Sequence, residues 1–345
     1  MGAYFARRFL LLIPTFLGIT FLVFSVTRFV PGGPIDQMIM QMQASGTEGG
    51  SSGGGGGGQA SSVEIAPEAM QALEEHFNLD KPFFVAYGYW LWDVLHFDLG
   101  VSYKYNEPVI DTITSRFPVS IYFGLIGFLL AYLVCIPLGV MKAVKHGSVF
   151  DFGSSAIVFM GYSIPGFALG ALLLVLFGGG SFWNVVPLGG FRDPQWATFS
   201  MWHKITDQLH HTILPVLSYA VGSFATLTVL MKNSLMENLG QDYVRTAFAK
   251  GLSEKRVIFG HTLRNSLIPI TTGLGSAIGL VMAGSYLIEK VFNINGIGYL
   301  GYTSIIERDY AVVLGILVIN TLLVLVGNIL SDVLYVLVDP RIRFS

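Results

Sequence analysis

The chain has 345 residues, of which 52% are hydrophobic and only 12% charged, with a formal net charge of −2. A soluble globule carries roughly a quarter charged residues, so this composition excludes one and fits a chain that lives in lipid. The near-neutral balance offers nothing to a nucleic acid, and the single cysteine, Cys135, inside an apolar stretch, excludes a disulfide framework and a thiolate metal cluster.

Residues 9–30 are apolar over about the length that crosses the hydrocarbon core, with Arg7 and Arg8 before them and Arg28 able to snorkel at the far end. No small-x-small cleavage site follows, so this first span is expected to be retained. Pro14 is expected to bend it or to open its first turn. Pro31-Gly32-Gly33-Pro34 stops the helix, and residues 31–116 read as a hydrophilic, acid-rich segment with Lys81, Lys104 and Arg116 as its bases. Within it, residues 46–62 are low-complexity Gly/Ser, a flexible excursion. A phosphate-binding loop does not fit there, because Gln59-Ala60 follows the glycines where Lys-Ser/Thr would be needed. Pro67 opens a helix through about Phe77, and the aromatic run Phe83, Phe84, Tyr87, Tyr89, Trp90, Trp92 suits a helix at the membrane interface.

Five more spans are expected at about 118–141, 153–177, 213–231, 267–288 and 311–331, six in all. Small residues four apart, Gly166/Gly170 and Gly275/Gly279, would let helix backbones approach closely. The expected organisation is an amino-terminal span at 1–30, an outer segment at 31–116, a five-helix core at 117–338 that includes a polar loop at 232–266, and a tail at 339–345. Arg7, Arg8, Lys142, Lys145, Lys232, Arg245, Lys250, Lys255, Arg256, Arg264, Arg341 and Arg343 fall on one side of a six-span chain. The positive-inside rule makes that side cytoplasmic, with both termini on it.

The polar loop is the most informative stretch. Gly240 breaks the preceding helix, Asp242 can cap the next, and Gly251 stands where a helix of about eight residues would end. Tyr243, Val244, Ala247 and Phe248 fall on one face, with Arg245 and Lys250 off it. Two turns are too short to be stable alone, so the apolar face is expected to dock against something.

Arg245-Thr246-Ala247, three residues, then Gly251, continuing to His261, Arg264-Asn265 and Leu267-Ile268-Pro269, resembles the cytoplasmic "EAA" loop of ABC-importer permeases. Arg245 stands where the general motif has Glu, a departure similar to that of the oligopeptide and dipeptide branch. The likeness extends through Arg8 with Ile13-Pro14-Thr15, Phe97-Asp98-Leu99-Gly100-Val101-Ser102, Leu287-Ile288-Glu289-Lys290-Val291-Phe292, Gly296-Ile297-Gly298, Arg308-Asp309-Tyr310 and Asp339-Pro340-Arg341.

The resemblance implies an all-α membrane protein, a type I ABC-importer permease with six transmembrane helices and a cytoplasmic coupling helix. It implies that Tyr243, Val244, Arg245, Thr246, Ala247, Phe248 and Gly251 dock an ATPase subunit, with His261, Arg264, Asn265 and Pro269 supporting the loop. The implied partners are a second permease subunit, one or two ABC ATPase subunits, a periplasmic peptide-binding protein, membrane lipid and a peptide substrate. The implied setting is the bacterial inner membrane. No cofactor or metal is expected in this chain, Mg-ATP belonging to the partner ATPases, and no catalytic residue. A gradient-driven secondary transporter is the alternative. Its need for a titratable carboxylate at mid-membrane depth is not met in the sequence, where Asp151 and Asp332 fall at span ends. A membrane-embedded enzyme lacks its nucleophile and base, since His210-His211 stand apart from any such motif.

Lengthening or shortening a flexible loop changes its closure free energy by only about 0.6 kcal/mol per doubling. A chain lacking Gly49–Gly58 is therefore expected to insert and support uptake at close to the parent level, measured as substrate accumulation in cells. Loss of uptake would show that the Gly/Ser segment itself acts.

Overall fold

A computed structural model of the chain describes residues 2–29, 80–180, 182–271 and 284–338. The Gly/Ser stretch 46–62, the helix expected from Pro67, the Gly275/Gly279 pair in the fifth span, and the tail 339–345 lie outside the described residues. Every regular element among the described residues is helical, beside two isolated bridges, Val101 with Pro108 and Gly178 with Val186. A helix satisfies its backbone polar groups internally, which is what a lipid environment demands of an apolar chain.

In chain order the helices are α1 (Gly2–Phe29), α2 (Phe83–Leu95), α3 (Val109–Thr114), α4 (Phe117–Val144), α5 (Val149–Ser163), α6 (Gly166–Phe177), α7 (Met201–Leu239) and α8 (Asp242–Ala249). Then come α9, made of Glu254–Arg256, a π-helical turn Val257–Thr262 and Leu263–Ser266, followed by α10 (Tyr286–Val291), α11 (Ile297–Ile306) and α12 (Tyr310–Val338). Pro14 lies inside α1, which runs on through it. By length and composition, Val109–Val144, Met201–Leu239 and Tyr310–Val333 can each cross a membrane, and the pair α5 and α6 adds a fourth if it counts as one crossing.

The span expected at about 153–177 falls on this pair and is bent. α5 and α6 meet at a bend of 95°. The cause is Ile164-Pro165: a residue before proline is pushed out of the helical region, and Ile164 is extended at φ −96°, ψ 120°. α7 is also longer than expected. Its 39 residues make a rod of about 58 Å, against a hydrocarbon core of about 30 Å, so the apolar stretch 213–231 is only its middle.

The described chain forms two compact units. The larger comprises residues 1–10, 116–300 and 320–345, and the smaller comprises 11–115 and 301–319.

In the larger unit α4 lies along α7 in parallel, because Gly127 meets Tyr219 and, further on, Gly139 meets Met231 and the Thr228 carbonyl. A Cβ on Gly139 would stand 2.6 Å from that of Met231. α6 reaches α7 in the same way, with Gly166 against the Ser218 carbonyl and Gly170 against the Ser218 hydroxyl and the Phe292 ring. Phe123, Leu214, Val216, Ile288, Phe292 and Ile294 fill one end of the core, and Val140, Ala143, Met231, Leu235, Ile258 and Ile270 the other.

The smaller unit is held by rings and by one buried carboxylate. Phe21 and Phe24 of α1 pack on Phe83 and Tyr87 of α2, and the Thr20 and Tyr87 hydroxyls are 3.0 Å apart. Asp309, just ahead of α12, accepts from the Ser102 hydroxyl at 2.5 Å and from the Val312 amide at 3.4 Å. Burial pushes its carboxyl above the usual range. Val109 and Ile113 of α3 close over Gly315.

Gly166 tests the role of these close approaches. An added Cβ would lie 2.4 Å from the Ser218 carbonyl oxygen, a backbone atom inside α7 that cannot step aside. Gly166→Ala is expected to destabilise by about 1–3 kcal/mol, seen as a lower thermal midpoint in detergent. Gly153→Ala, where nothing stands within 4 Å of the new carbon, is expected to leave that midpoint unchanged.

Candidate functional site

The loop after α7 folds as a braced short helix. Gly240 ends α7, Gln241 is extended at φ −76°, ψ 150°, and α8 begins at Asp242. The expected capping by Asp242 is therefore corrected: Gln241 holds the N-cap position, with no side-chain cap, and Asp242 is the first helical residue. There its carboxylate still complements the helix dipole, 3.6 Å from Arg245, with both side chains in water.

The other end matches the sequence closely. Gly251 has φ +80°, the left-handed conformation that glycine adopts most readily. The Gly251 amide donates to the Phe248 carbonyl at 2.9 Å and the Leu252 amide to the Ala247 carbonyl at 3.3 Å. This is the Schellman pairing, and Leu252 adds the apolar contact that accompanies it by packing against Val244, Ala247 and Val257.

The apolar face of α8 divides. Val244 and Ala247 are buried on Val257, with Leu239 and Leu252 around them. Tyr243 is 38% exposed and Phe248 46% exposed. At about 100° per residue, Ala247 and Val244 occupy the middle of an arc of roughly 140° and Tyr243 and Phe248 its two edges. The chain's own contacts use the middle and leave the edges outward, together with Arg245 and Thr246. Tyr243 is steadied by donating its hydroxyl to Asn238 at 3.1 Å.

His261, Arg264, Asn265 and Pro269, named from the family pattern as loop support, are all exposed. What holds the loop is a different set. Val257 and Ile258 are buried, the Thr262 hydroxyl donates to the Val257 carbonyl at 3.0 Å, and Ser266 donates to the Thr262 carbonyl at 2.9 Å. Ser234 of α7 donates to the Ser266 carbonyl at 2.9 Å, tying α9 to α7. The Thr262 hydroxyl closes over the π turn Val257–Thr262, a widening frequent at functional sites. Leu239 packs in both apolar clusters, so the end of α7, α8 and α9 form one body.

Sequence reasoning also passed over Glu289. Its carboxylate is buried at the first turn of α11, accepting from the Tyr299 amide at 2.6 Å, the Ser120 hydroxyl at 3.2 Å and the Tyr219 hydroxyl at 3.4 Å. Gly284 and Gly296 pass so close that a Cβ on either would touch its oxygen. The available signal was an acid between Gly284 and Gly296, the second glycine standing just ahead of α11. Elsewhere, His211 is buried with its Nδ1 beside Asp207, and among the described residues no three His, Cys, Asp or Glu side chains group as metal ligands.

Over residues 135–344, which contain the whole loop, the chain matches the family model described as "Binding-protein-dependent transport system inner membrane component". It is 40% identical to the peptidoglycan transport system permease protein YejB of Agrobacterium fabrum, across 100% of this chain and 99% of that one. It is 36% identical to the dipeptide transport system permease protein DppB of Escherichia coli, across 99% of each. It is 34% identical to the oligopeptide transport system permease protein AppB of Bacillus subtilis, across 100% of each.

Nothing stands within 4 Å of a Cβ built on Gly251, so a substitution there acts through the backbone alone. Gly251→Val is expected to cost about 1–2 kcal/mol locally, and Gly251→Asn clearly less. The measurement is hydrogen exchange at the Leu252 amide, expected to speed up for Val more than for Asn. Equal protection in both variants would mean that the left-handed turn does not hold the helix end.

Proposed function

The chain belongs to the family of binding-protein-dependent transport system inner membrane components, and from that premise we propose that it is the permease subunit through which an ATP-driven importer carries peptides. As a member it is a transport component rather than an enzyme. The peptide class is the one named for the dipeptide and oligopeptide permeases that the chain is similar to.

The observation that carries the coupling role is the outward face of α8. An apolar Phe248 and an aromatic Tyr243 stand exposed among charged residues, on a short helix stiffened from behind by Val244 and Ala247. A helix braced by its own chain and still presenting apolar edges suits insertion into a cleft of a partner protein. In this reading Tyr243, Arg245, Thr246 and Phe248 meet the ATPase. Val244, Ala247 and Gly251 shape the helix, and His261, Arg264 and Asn265 lie at the rim.

We count six crossings by adding to α4, the bent pair, α7 and α12 the two spans expected from the sequence at 9–30 and 267–288, the second lying mostly outside the described residues. The parallel run of α4 and α7 supports taking the bent pair as a single crossing, since two parallel spans need an odd number of crossings between them. The pairing of Arg8 with Asp332 at 2.6 Å supports placing the start of α1 and the end of α12 on one side. The basic loop supports reading that side as cytoplasmic. A second permease completes the path, a binding protein delivers substrate from outside, and closure of the ATPases on ATP pushes α8 and shifts the spans between two packings.

Phe248→Asp is expected to leave insertion intact and abolish both retention of the ATPase subunit and peptide uptake, because a carboxylate buried unpaired at an interface costs several kcal/mol (about 3–5). Pull-down and uptake in the same cells measure this. Wild-type retention and uptake would make α8 a passive loop.

A further inference from the structure

Apart from the loop, the most unusual chemistry in the larger unit is a cluster of charges where α4, α5 and α7 meet. Lys142 in the last turn of α4 is 1% exposed and Asp151 in the first turn of α5 is 4% exposed. Lys232 reaches them from α7, two turns before that helix ends at Leu239. Two ammonium groups thus face one carboxylate.

The two lysines are held differently. Lys142 Nζ donates to the Asp151 carbonyl at 2.8 Å, to the Ser155 hydroxyl at 2.6 Å and to the Ser154 hydroxyl at 3.0 Å, and stands 3.2 Å from Asp151 Oδ1. Its place in the first turns of α5 is secured without Lys232. Lys232 Nζ donates to Asp151 Oδ1 at 2.8 Å and Oδ2 at 2.7 Å, and its side chain borders solvent. Asp151 therefore has one enclosed partner and one that can leave for water.

A buried ion pair adds little stability over a well-packed apolar pair, but separating one strands a charge. The second lysine removes that penalty. If α7 withdraws from α5, Asp151 remains neutralised by Lys142 and Lys232 is hydrated, so the contact can open and close without burying a bare charge in either state. Lys232 is also well placed to sense the loop: seven residues of helix, about 10 Å, separate it from Leu239, which packs into the braced body of α8 and α9.

We propose that Asp151 is a positioning residue for coupled transport, a contact between the α4–α5 turn and α7 that Lys232 makes and breaks as the loop is pushed. This rests on the coupling role of α8 given above. Asp151 also starts α5: Ser148 accepts from its amide at 3.3 Å, and its Oδ2 accepts from the Gly147 amide at 3.1 Å and lies 3.3 Å from His146 Nδ1. A purely structural role would be that one.

Asp151→Asn separates the two, because an amide oxygen still accepts from Gly147 while the attraction for both ammoniums is lost. Lys232→Met removes the exchangeable partner and leaves the start of α5 untouched. In the full importer reconstituted in vesicles, both variants are expected to insert, keep their ATPase subunits and hydrolyse ATP. Peptide transported per ATP is expected to fall by about 5- to 150-fold, the range of ordinary coupling free energies. Asp151→Glu, which restores the charge, is expected to recover most of that ratio. Wild-type transport per ATP in either Asp151→Asn or Lys232→Met would overturn the proposal, and so would failure of both to insert, which would make the cluster a folding element. Wild-type ATPase retention and uptake in Phe248→Asp, measured in the same system, would instead refute the coupling role of α8.

Discussion

The close contact between α4 and α7 is the constraint on which the larger unit depends. Glycines at 127 and 139 remove the side chains that would hold the two helices apart, so backbone and Cβ atoms meet along a parallel seam. Without a hydrophobic drive between helices in lipid, packing at this range is the main attraction available. α6 joins α7 through Gly166 and Gly170 by the same means. With its middle fixed, α7 extends beyond the hydrocarbon core as a stiff rod, and its end carries Leu239 into the apolar cluster that braces α8.

That arrangement explains why the loop can be both short and firm. Eight residues of helix do not hold themselves together in water. Val244 and Ala247 make α8 part of the same body as α7 and α9, and the left-handed Gly251 closes its end. The outward edges, Tyr243 and Phe248, are left for a partner without weakening the brace. The charge cluster joins the same rod through Lys232, between the seam and the loop, with Lys142 and Asp151 reaching it from α4 and α5.

The bounds of α8 and the turn at Gly251 were legible in the sequence because they rest on local chemistry, a helix break, a run of one-face periodicity and a terminating glycine. The division of that face was not. Periodicity groups Tyr243 with Val244, Ala247 and Phe248, and only the position of Val257 and Leu252 in space decides which of them are covered. Ile164-Pro165 carried a readable signal for the break between α5 and α6, outweighed in the reading by the continuous apolar composition around it. Gly127 and Gly139 end a run of small residues four apart, Gly127, Ala131, Cys135 and Gly139, a pattern that the glycine-to-glycine spacing alone does not pick out. Lys142 and Lys232 counted as bases near span ends; Lys142 is buried on Asp151 nine residues away, and Lys232 reaches the same carboxylate across 81 residues, a pairing that no local pattern announces. Exposure of His261, Arg264 and Asn265 likewise follows from how α9 lies on α7.

The outer face of α8 can be probed with a single sulfhydryl, since the chain's one native cysteine, Cys135, is buried. Cysteine placed at 248 or at 244 in the assembled importer, treated with a short bifunctional crosslinker, measures directly which edge of the helix faces the ATPase subunit. Docking by the exposed edge requires a crosslink from position 248 and little or none from 244. Equal yields from both, or none from 248 in a complex that still transports, would contradict it.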